Sequence, residues 1–234
     1  MPLEPHLLPA RHRNLISGSH LYNYGGSVPG PRLRRAAVIL AGGRSTRLRK
    51  EKCFLEFEGK PLIKRVADAV HGVVDELVVA VRNETQARAV EKICNAKIAI
   101  DSFKDFGPLA GILAGLEATV AEYSVVLGCD MPFVRAEVVE FLFELAEELA
   151  VDAVVPEWDN GDIEPLHAVY KTGAMAREAR RLMLKGNKSI RVPLRLLNVK
   201  FVPVRLIREL DEKLETFTNI NVPEDLWQLT LKRR

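Results

Sequence analysis

Ala36-Ala37-Val38-Ile39-Leu40-Ala41 is an uninterrupted apolar run that stops on Gly42-Gly43. A strand buried on both faces reads this way, because neither side of its pleat meets water, whereas a half-exposed strand would alternate. The expectation is a central β-strand followed by a loop whose backbone lies open. The same signature returns at regular intervals. Leu77-Val78-Val79-Ala80-Val81 and residues 97–100 are further expected strands, and Ser124-Val125-Val126-Leu127 is a fourth. Between them lie helical patterns. Residues 61–73 put Leu62, Val66, Ala69, Val70 and Val73 on one face, with Pro61 suited to the first turn. Helices are also expected over 84–94, 108–119 and 135–150, the last with Val138, Leu142, Leu145 and Leu149 as its apolar stripe.

Apolar strands joined by amphipathic helices imply an α/β fold, a doubly wound and mostly parallel sheet with helices on both faces. The second half reads as strands over 152–156 and 166–170, helices over 172–184 and 189–197, and a last strand over 199–204. Its strand order is not readable from the sequence. In sheets of this kind the ligand lies beyond the carboxyl ends of the strands, where strand order reverses. That rule selects residues 42–52, 101–107 and Gly128-Cys129-Asp130.

The chain has 234 residues, 47% hydrophobic and 28% charged, which suits one packed domain with a sizeable core. Its net charge of +3 is unevenly placed: residues 1–35 carry Arg11, Arg13, Arg32, Arg34 and Arg35 against Glu4, a net +4, leaving the remainder at −1. A basic nucleic-acid-binding face on the folded body is therefore unsupported. The same 35 residues contain Pro2, Pro5, Pro9, Pro29 and Pro31 with no periodicity, and read as a mobile N-terminal extension before a domain spanning 36–234. No apolar run reaches the roughly 20 residues of a membrane span, and the expected location is the cytoplasm. Cys53, Cys94 and Cys129 are odd in number and widely spaced, which argues against a disulfide framework or a structural zinc site.

The loop after the first strand carries the richest chemistry. Adjacent glycines let the backbone approach a ligand and turn amide hydrogens inward, a cradle for phosphate oxygens. Arg44, Arg47, Arg49, Lys50 and Lys52 add positive charge around it. Neither a Walker A loop nor a GxGxxG fingerprint is present. Asp101 and Asp130 each follow a strand directly, and Met131-Pro132 holds Asp130 at a rigid turn. One carboxylate facing substrate phosphates is enough to hold magnesium, so Asp130 is the candidate metal ligand. The alternative for either aspartate is a turn cap through backbone amides.

Taken in order, Leu40-Ala41-Gly42-Gly43 with Arg47 and Lys52, Asp101 with Gly107-Pro108-Leu109-Ala110-Gly111, Gly128-Cys129-Asp130-Met131-Pro132-Phe133, Pro165-Leu166-His167-Ala168-Val169-Tyr170 and Asn219-Ile220-Asn221-Val222-Pro223-Glu224-Asp225-Leu226 resemble the molybdenum cofactor guanylyltransferase (MobA) family. The resemblance implies a glycosyltransferase-A-like nucleotidyltransferase fold. It also implies a reaction in which GTP and molybdopterin-bound molybdenum give the guanine dinucleotide cofactor and pyrophosphate, with Mg2+ required. By position it implies nucleotide contacts at Leu40, Ala41, Gly42, Gly43, Lys52 and Asp101, nucleotide and magnesium at Asp130, and charge neutralisation by Arg47 and Lys52. Asn219 and Asn221 would lie toward the pterin or phosphate end. Implied partners are GTP, the molybdopterin cofactor and cofactor-handing proteins, with neither nucleic acid nor membrane.

Three departures stand out. Arg49-Lys50-Glu51 lacks a glycine of the family's phosphate loop, Val81 with Asn83 nearby occupies the region of an Asn that touches the base, and Val222 replaces a Thr. Related enzymes with another base or acceptor remain open: a molybdopterin cytidylyltransferase, an adenosylcobinamide-phosphate guanylyltransferase or a sugar-phosphate nucleotidyltransferase. A non-catalytic nucleotide-binding adaptor is the alternative from a different class. His167, inside an alternating strand, reads as a packed residue before it reads as an acid.

Overall fold

A computed structural model describes residues 34–42, 51–103, 106–220 and 225. The first strand, β1 (Arg35–Leu40), is buried at every position. A single 3₁₀ turn (Lys52–Phe54) and a two-stranded hairpin of β2 (Glu56–Phe57) and β3 (Lys60–Pro61) lead into α1 (Leu62–Val70). Then follow β4 (Glu76–Val81), α2 (Glu84–Glu91), β5 (Lys97–Ile100), α3 (Pro108–Glu117), β6 (Tyr123–Gly128) and α4 (Ala136–Leu149). The second half holds β7 (Ala153–Glu157), β8 (His167–Lys171), α5 (Thr172–Leu184), α6 (Arg191–Leu194), β9 (Val199–Pro203), α7 (Val204–Ile207) and a 3₁₀ turn (Glu215–Phe217).

The main sheet has seven strands in the order β5-β4-β1-β6-β8-β7-β9. Only β8 runs against its neighbours β6 and β7; the other pairings are parallel. Alternation along β1 divides the core. Ala37 and Ile39 pack with residues of α1, α2 and α4 on one face, and Val38 and Leu40 with α3 and α5 on the other. The doubly wound, mostly parallel sheet read from the sequence is therefore the fold. Because the chain leaves β1 toward β4 and β5 and then returns to β6 on the other side, strand order reverses between β1 and β6.

Three readings need correction. Arg35, assigned to the extension, opens β1: its amide donates to Asp75 Oδ2 at 2.8 Å, its Nε and Nη2 to Glu147 at 2.6 and 2.7 Å, and its Nη1 to Glu140 Oε1 at 2.8 Å. A guanidinium only 4% exposed is held there by two carboxylates and by the Phe143 ring. The helix over 189–197 shrinks to the four residues of α6, because Asn187 and Ser189 side chains take the preceding amides and Pro193 supplies no N–H. The last strand ends at Pro203, and Val204 begins α7. Residues 1–33 lie outside the described residues. Among the described residues no helix is long and apolar enough to cross a membrane.

Candidate active site

The ladder between β1 and its neighbours continues past the strand ends. Ala41 N donates to Ala80 O at 2.9 Å, and Cys129 N donates to Leu40 O at 3.2 Å. Ala41-Gly42 and Cys129-Asp130 therefore emerge side by side at the switch point, where the sheet's open carboxyl edge favours a ligand. Leu40 and Ala41 are buried and Gly42 is exposed. A Cβ on Gly42 would lie 3.2 Å from Arg82 Cγ, so the backbone there passes close under that side chain. Arg82 Nη2 in turn donates to Glu51 Oε1 at 2.7 Å.

Gln86, which sequence reasoning missed, fixes the exit of β1. It is 2% exposed, its Nε2 donates to Ala41 O at 2.9 Å, and its Oε1 accepts from Arg82 N at 2.8 Å. The signal was present as Asn83-Glu84-Thr85-Gln86, the spacing of a helix N-cap with Gln at the third helical position. Asn83 Oδ1 accepts from Gln86 N at 2.9 Å, so this asparagine caps α2.

Lys52 and Asp130 meet across the switch point, with Lys52 Nζ 3.6 Å from Asp130 Oδ2 and the side chains 19% and 26% exposed. Asp130 O accepts from Ile220 N at 2.8 Å, which brings Asn219 and Ile220 alongside. That returning segment is anchored by Thr216, whose hydroxyl accepts from Arg135 N at 3.2 Å and whose amide donates to the buried Asp211 carboxylate at 2.8 Å. Nothing local in the sequence announced this anchor. Gly128 makes room for the carboxylate: an added Cβ would sit 2.5 Å from Asp130 Oδ1. Gly128 is not among the positive-φ glycines, so alanine is allowed by the backbone and blocked by the carboxylate alone. Gly128→Ala is expected to turn Asp130 away and to cut kcat/KM on the order of 10- to 100-fold with little change in melting temperature; steady-state kinetics beside thermal unfolding checks it.

Asp101 lies elsewhere on the edge. Its amide donates to Val81 O at 2.8 Å, and its Oδ1 accepts from Phe103 N at 2.8 Å. Burial pushes this carboxyl above its ordinary value, against the pull of the Phe103 amide. β5 is three strand positions from β6, roughly 14 Å at the usual spacing. One ion shared by Asp101 and Asp130 is thus disfavoured, and the position suits a more distant part of a nucleotide. Gly43, Arg47 and Asn221 lie outside the described residues.

His167 is fully buried, opposite Leu127 of β6. Its Nε2 is 3.3 Å from Thr216 Oγ1, its ring meets Phe217 edge-on at 5.0 Å, and its Nδ1 has no hydrogen-bond partner. Burial lowers its pKa from 6.5 to about 3, so it is a neutral packing residue and not a proton store. Above 6.5 folded and unfolded chains both carry neutral imidazole. Between 6.5 and about 3 unfolding takes up a proton that the folded ring refuses, so stability falls as pH drops, by up to about 1.4 kcal/mol per pH unit. Denaturant unfolding from pH 6.5 to 4.5 should show a shallower loss for His167→Gln than for the unaltered chain. Parallel slopes would refute this placement.

A model of the MobA-like NTP transferase domain matches residues 37–199. A relative from Methanosarcina mazei, named "Probable molybdenum cofactor guanylyltransferase", is 40% identical over 200 residues, covering 82% of this chain and 88% of the relative. The molybdenum cofactor guanylyltransferase of Desulfosudis oleivorans is 34% identical, covering 81% and 91%. Among solved structures, molybdopterin-guanine dinucleotide biosynthesis protein A from Archaeoglobus fulgidus superposes with a TM-score of 0.72 at 37% identity, covering 82% of this chain and 95% of that one. The 4-diphosphocytidyl-2C-methyl-D-erythritol synthase of Anaerococcus prevotii, at 15% identity and a TM-score of 0.63 over 86% and 97%, shares the fold. With the fold and these matches in agreement, the chain belongs to the MobA-like NTP transferase family.

Proposed function

We propose that this protein moves GMP from GTP to the terminal phosphate of molybdopterin-bound molybdenum, giving the guanine dinucleotide cofactor and pyrophosphate. The observation that carries the reading is the approach of Lys52 Nζ to Asp130 Oδ2, 3.6 Å apart at the point where strand order reverses. The names of the relatives supply the base and the acceptor. The domain would be residues 35–234, with the segment before it an extension, and the reaction would draw on cytoplasmic GTP.

Among the described residues no group of three or more His, Cys, Asp or Glu side chains is placed to hold a metal. A single carboxylate beside a lysine is instead the donor set for magnesium that arrives with phosphate oxygens. Asp130 would hold that ion, which when bound neutralises phosphate charge. The attacking phosphate oxygen of the acceptor is already an anion, so no strong general base is needed. The work of the chain is then positioning and charge neutralisation. Backbone amides after Gly42 would receive the triphosphate, Lys52 with Arg47 would offset charge on the departing pyrophosphate, and Asp101 would bind toward the nucleoside. Asn219, carried to Asp130 by the Ile220 hydrogen bond, would meet the acceptor together with Asn221.

The test is incubation with each nucleoside triphosphate, molybdate-loaded molybdopterin and magnesium, followed by mass spectrometry of the pterin. The guanine dinucleotide is the expected product. A cytosine dinucleotide would assign a cytidylyltransferase, and GTP binding without transfer would leave a nucleotide-binding adaptor.

A further inference from the structure

After β9, at one edge of the sheet, the chain has to cross back over β7 and β8 to reach the end of β6, where Asp130 stands. Residues 211–220 make that return. Asp211, 2% exposed, closes its first turn, with Oδ2 accepting from Thr216 N at 2.8 Å. The Thr216 hydroxyl then accepts from Arg135 N at 3.2 Å, and Ile220 N donates to Asp130 O at 2.8 Å. Residues 216–220 are thereby bonded to both ends of 130–135, the connection from β6 to α4.

The Ile220 side chain extends the hold to Lys52. It is buried in a small cluster with Phe57, Leu62 and Phe133, separate from the two cores on the faces of the sheet, and Leu55 packs against it. Leu55 and Phe57 follow the 3₁₀ turn that carries Lys52, while Phe133 follows Asp130 by three residues. The Phe57 and Phe133 rings meet edge-on at 5.5 Å. One late segment of the chain thus ties the Lys52 turn to the Asp130 turn. Thr216 and Ile220 are both 0% exposed, so neither can meet a substrate.

We propose that Thr216 and Ile220 are positioning residues for nucleotidyl transfer: they fix Asp130 against Lys52 and hold Asn219 beside them. The inference rests on the reading of Lys52 and Asp130 as the transfer site. Displacements near 1 Å in a catalytic constellation cost on the order of 100-fold in rate, so a brace on the Asp130 carbonyl matters to rate more than to folding. The nucleotide side is held independently. Ala41 and Asp101 take their places through amide bonds to Ala80 O and Val81 O of β4, on the far side of β1 from the returning segment. Loosening Thr216 should therefore spare metal-free GTP affinity.

The experiment compares Thr216→Val, which keeps the shape and loses the hydroxyl, with Thr216→Ser, which keeps the hydroxyl. Turnover with GTP, molybdate-loaded molybdopterin and magnesium is measured well below every melting temperature, beside metal-free GTP affinity and amide exchange at Ile220. Thr216→Val is expected to lower kcat on the order of 10- to 100-fold and to raise the magnesium needed for half-maximal rate, with GTP affinity within about twofold. Its Ile220 amide should exchange about 3- to 10-fold faster, the opening that loss of one hydrogen bond allows. Thr216→Ser is expected to restore most of the rate. Ile220→Ala reaches the same geometry from the other end and should lower kcat over the same range. A lower melting temperature with kcat and magnesium dependence unchanged would overturn the proposal, as would GTP affinity falling by the same factor as kcat, or a serine variant no better than valine. Absence of transfer by the unaltered chain would count against the transferase reading; Ile220 exchange then decides the brace, and an unchanged rate of exchange in Thr216→Val overturns it.

Discussion

Asp130→Asn is expected to lower turnover by a factor on the order of hundreds or more, and to shift the magnesium dependence, while metal-free GTP binding is kept. Asparagine preserves the shape of the side chain and the backbone carbonyl that accepts from Ile220 N, so the returning segment stays in place. What disappears is the charge that would anchor the ion. A purely structural role makes the opposite forecast: if Asp130 capped the turn before α4, asparagine would substitute well and the loss would appear in stability. The fold already weighs against capping, because the N-cap of α4 is Arg135 and the side chain that accepts from its amide is Thr216, not Asp130. Rates across a magnesium titration, read beside melting temperature, separate the two. An Asp130→Asn protein with unaltered rate and metal dependence would remove this residue from the site.

Much of this architecture was readable before any coordinates, for a physical reason. Parallel strands covered on both faces have few polar positions, so β1, β4 and β6 stand out as largely apolar runs, and the chain's punctuation by Gly42, Asp101 and Asp130 falls where the sheet edge opens. The same rule brought Lys52 and Asp130 into one neighbourhood. What stayed hidden depends on tertiary contact or on weak local signals. The β2–β3 hairpin turns on Glu58 and Gly59, both at positive φ, and glutamate gives none of the Asn-Gly or Asp-Gly signal for such a turn. Arg35 was lost in an arginine- and proline-rich window because its partners, Glu140 and Glu147, are more than a hundred residues away.

Lys52→Ala is expected to weaken GTP binding and turnover together, by about 2 to 4 kcal/mol in total, because under the proposed reaction one cation would serve both ground-state phosphates and the departing pyrophosphate. Lys52 faces Asp130 at 3.6 Å, a partly exposed pair of modest worth to stability. Substrate must therefore trade partners with it, lysine turning to phosphate and carboxylate to metal. That exchange makes the two substitutions interdependent. With Asp130 present, removing Lys52 leaves a bare carboxylate aimed at the incoming phosphates, so metal-free affinity falls through lost attraction and exposed repulsion. With Asn at 130 the repulsion is gone, and Lys52→Ala should cost less. A double-mutant cycle on metal-free GTP affinity is thus expected to be non-additive, the pair of changes costing less than the two single costs combined. Were the lysine merely a structural partner of Asp130, either substitution would lower melting temperature and neither would change affinity. Titration calorimetry on the four proteins distinguishes these outcomes, and unaltered affinity in Lys52→Ala would move the phosphates away from this end of β1.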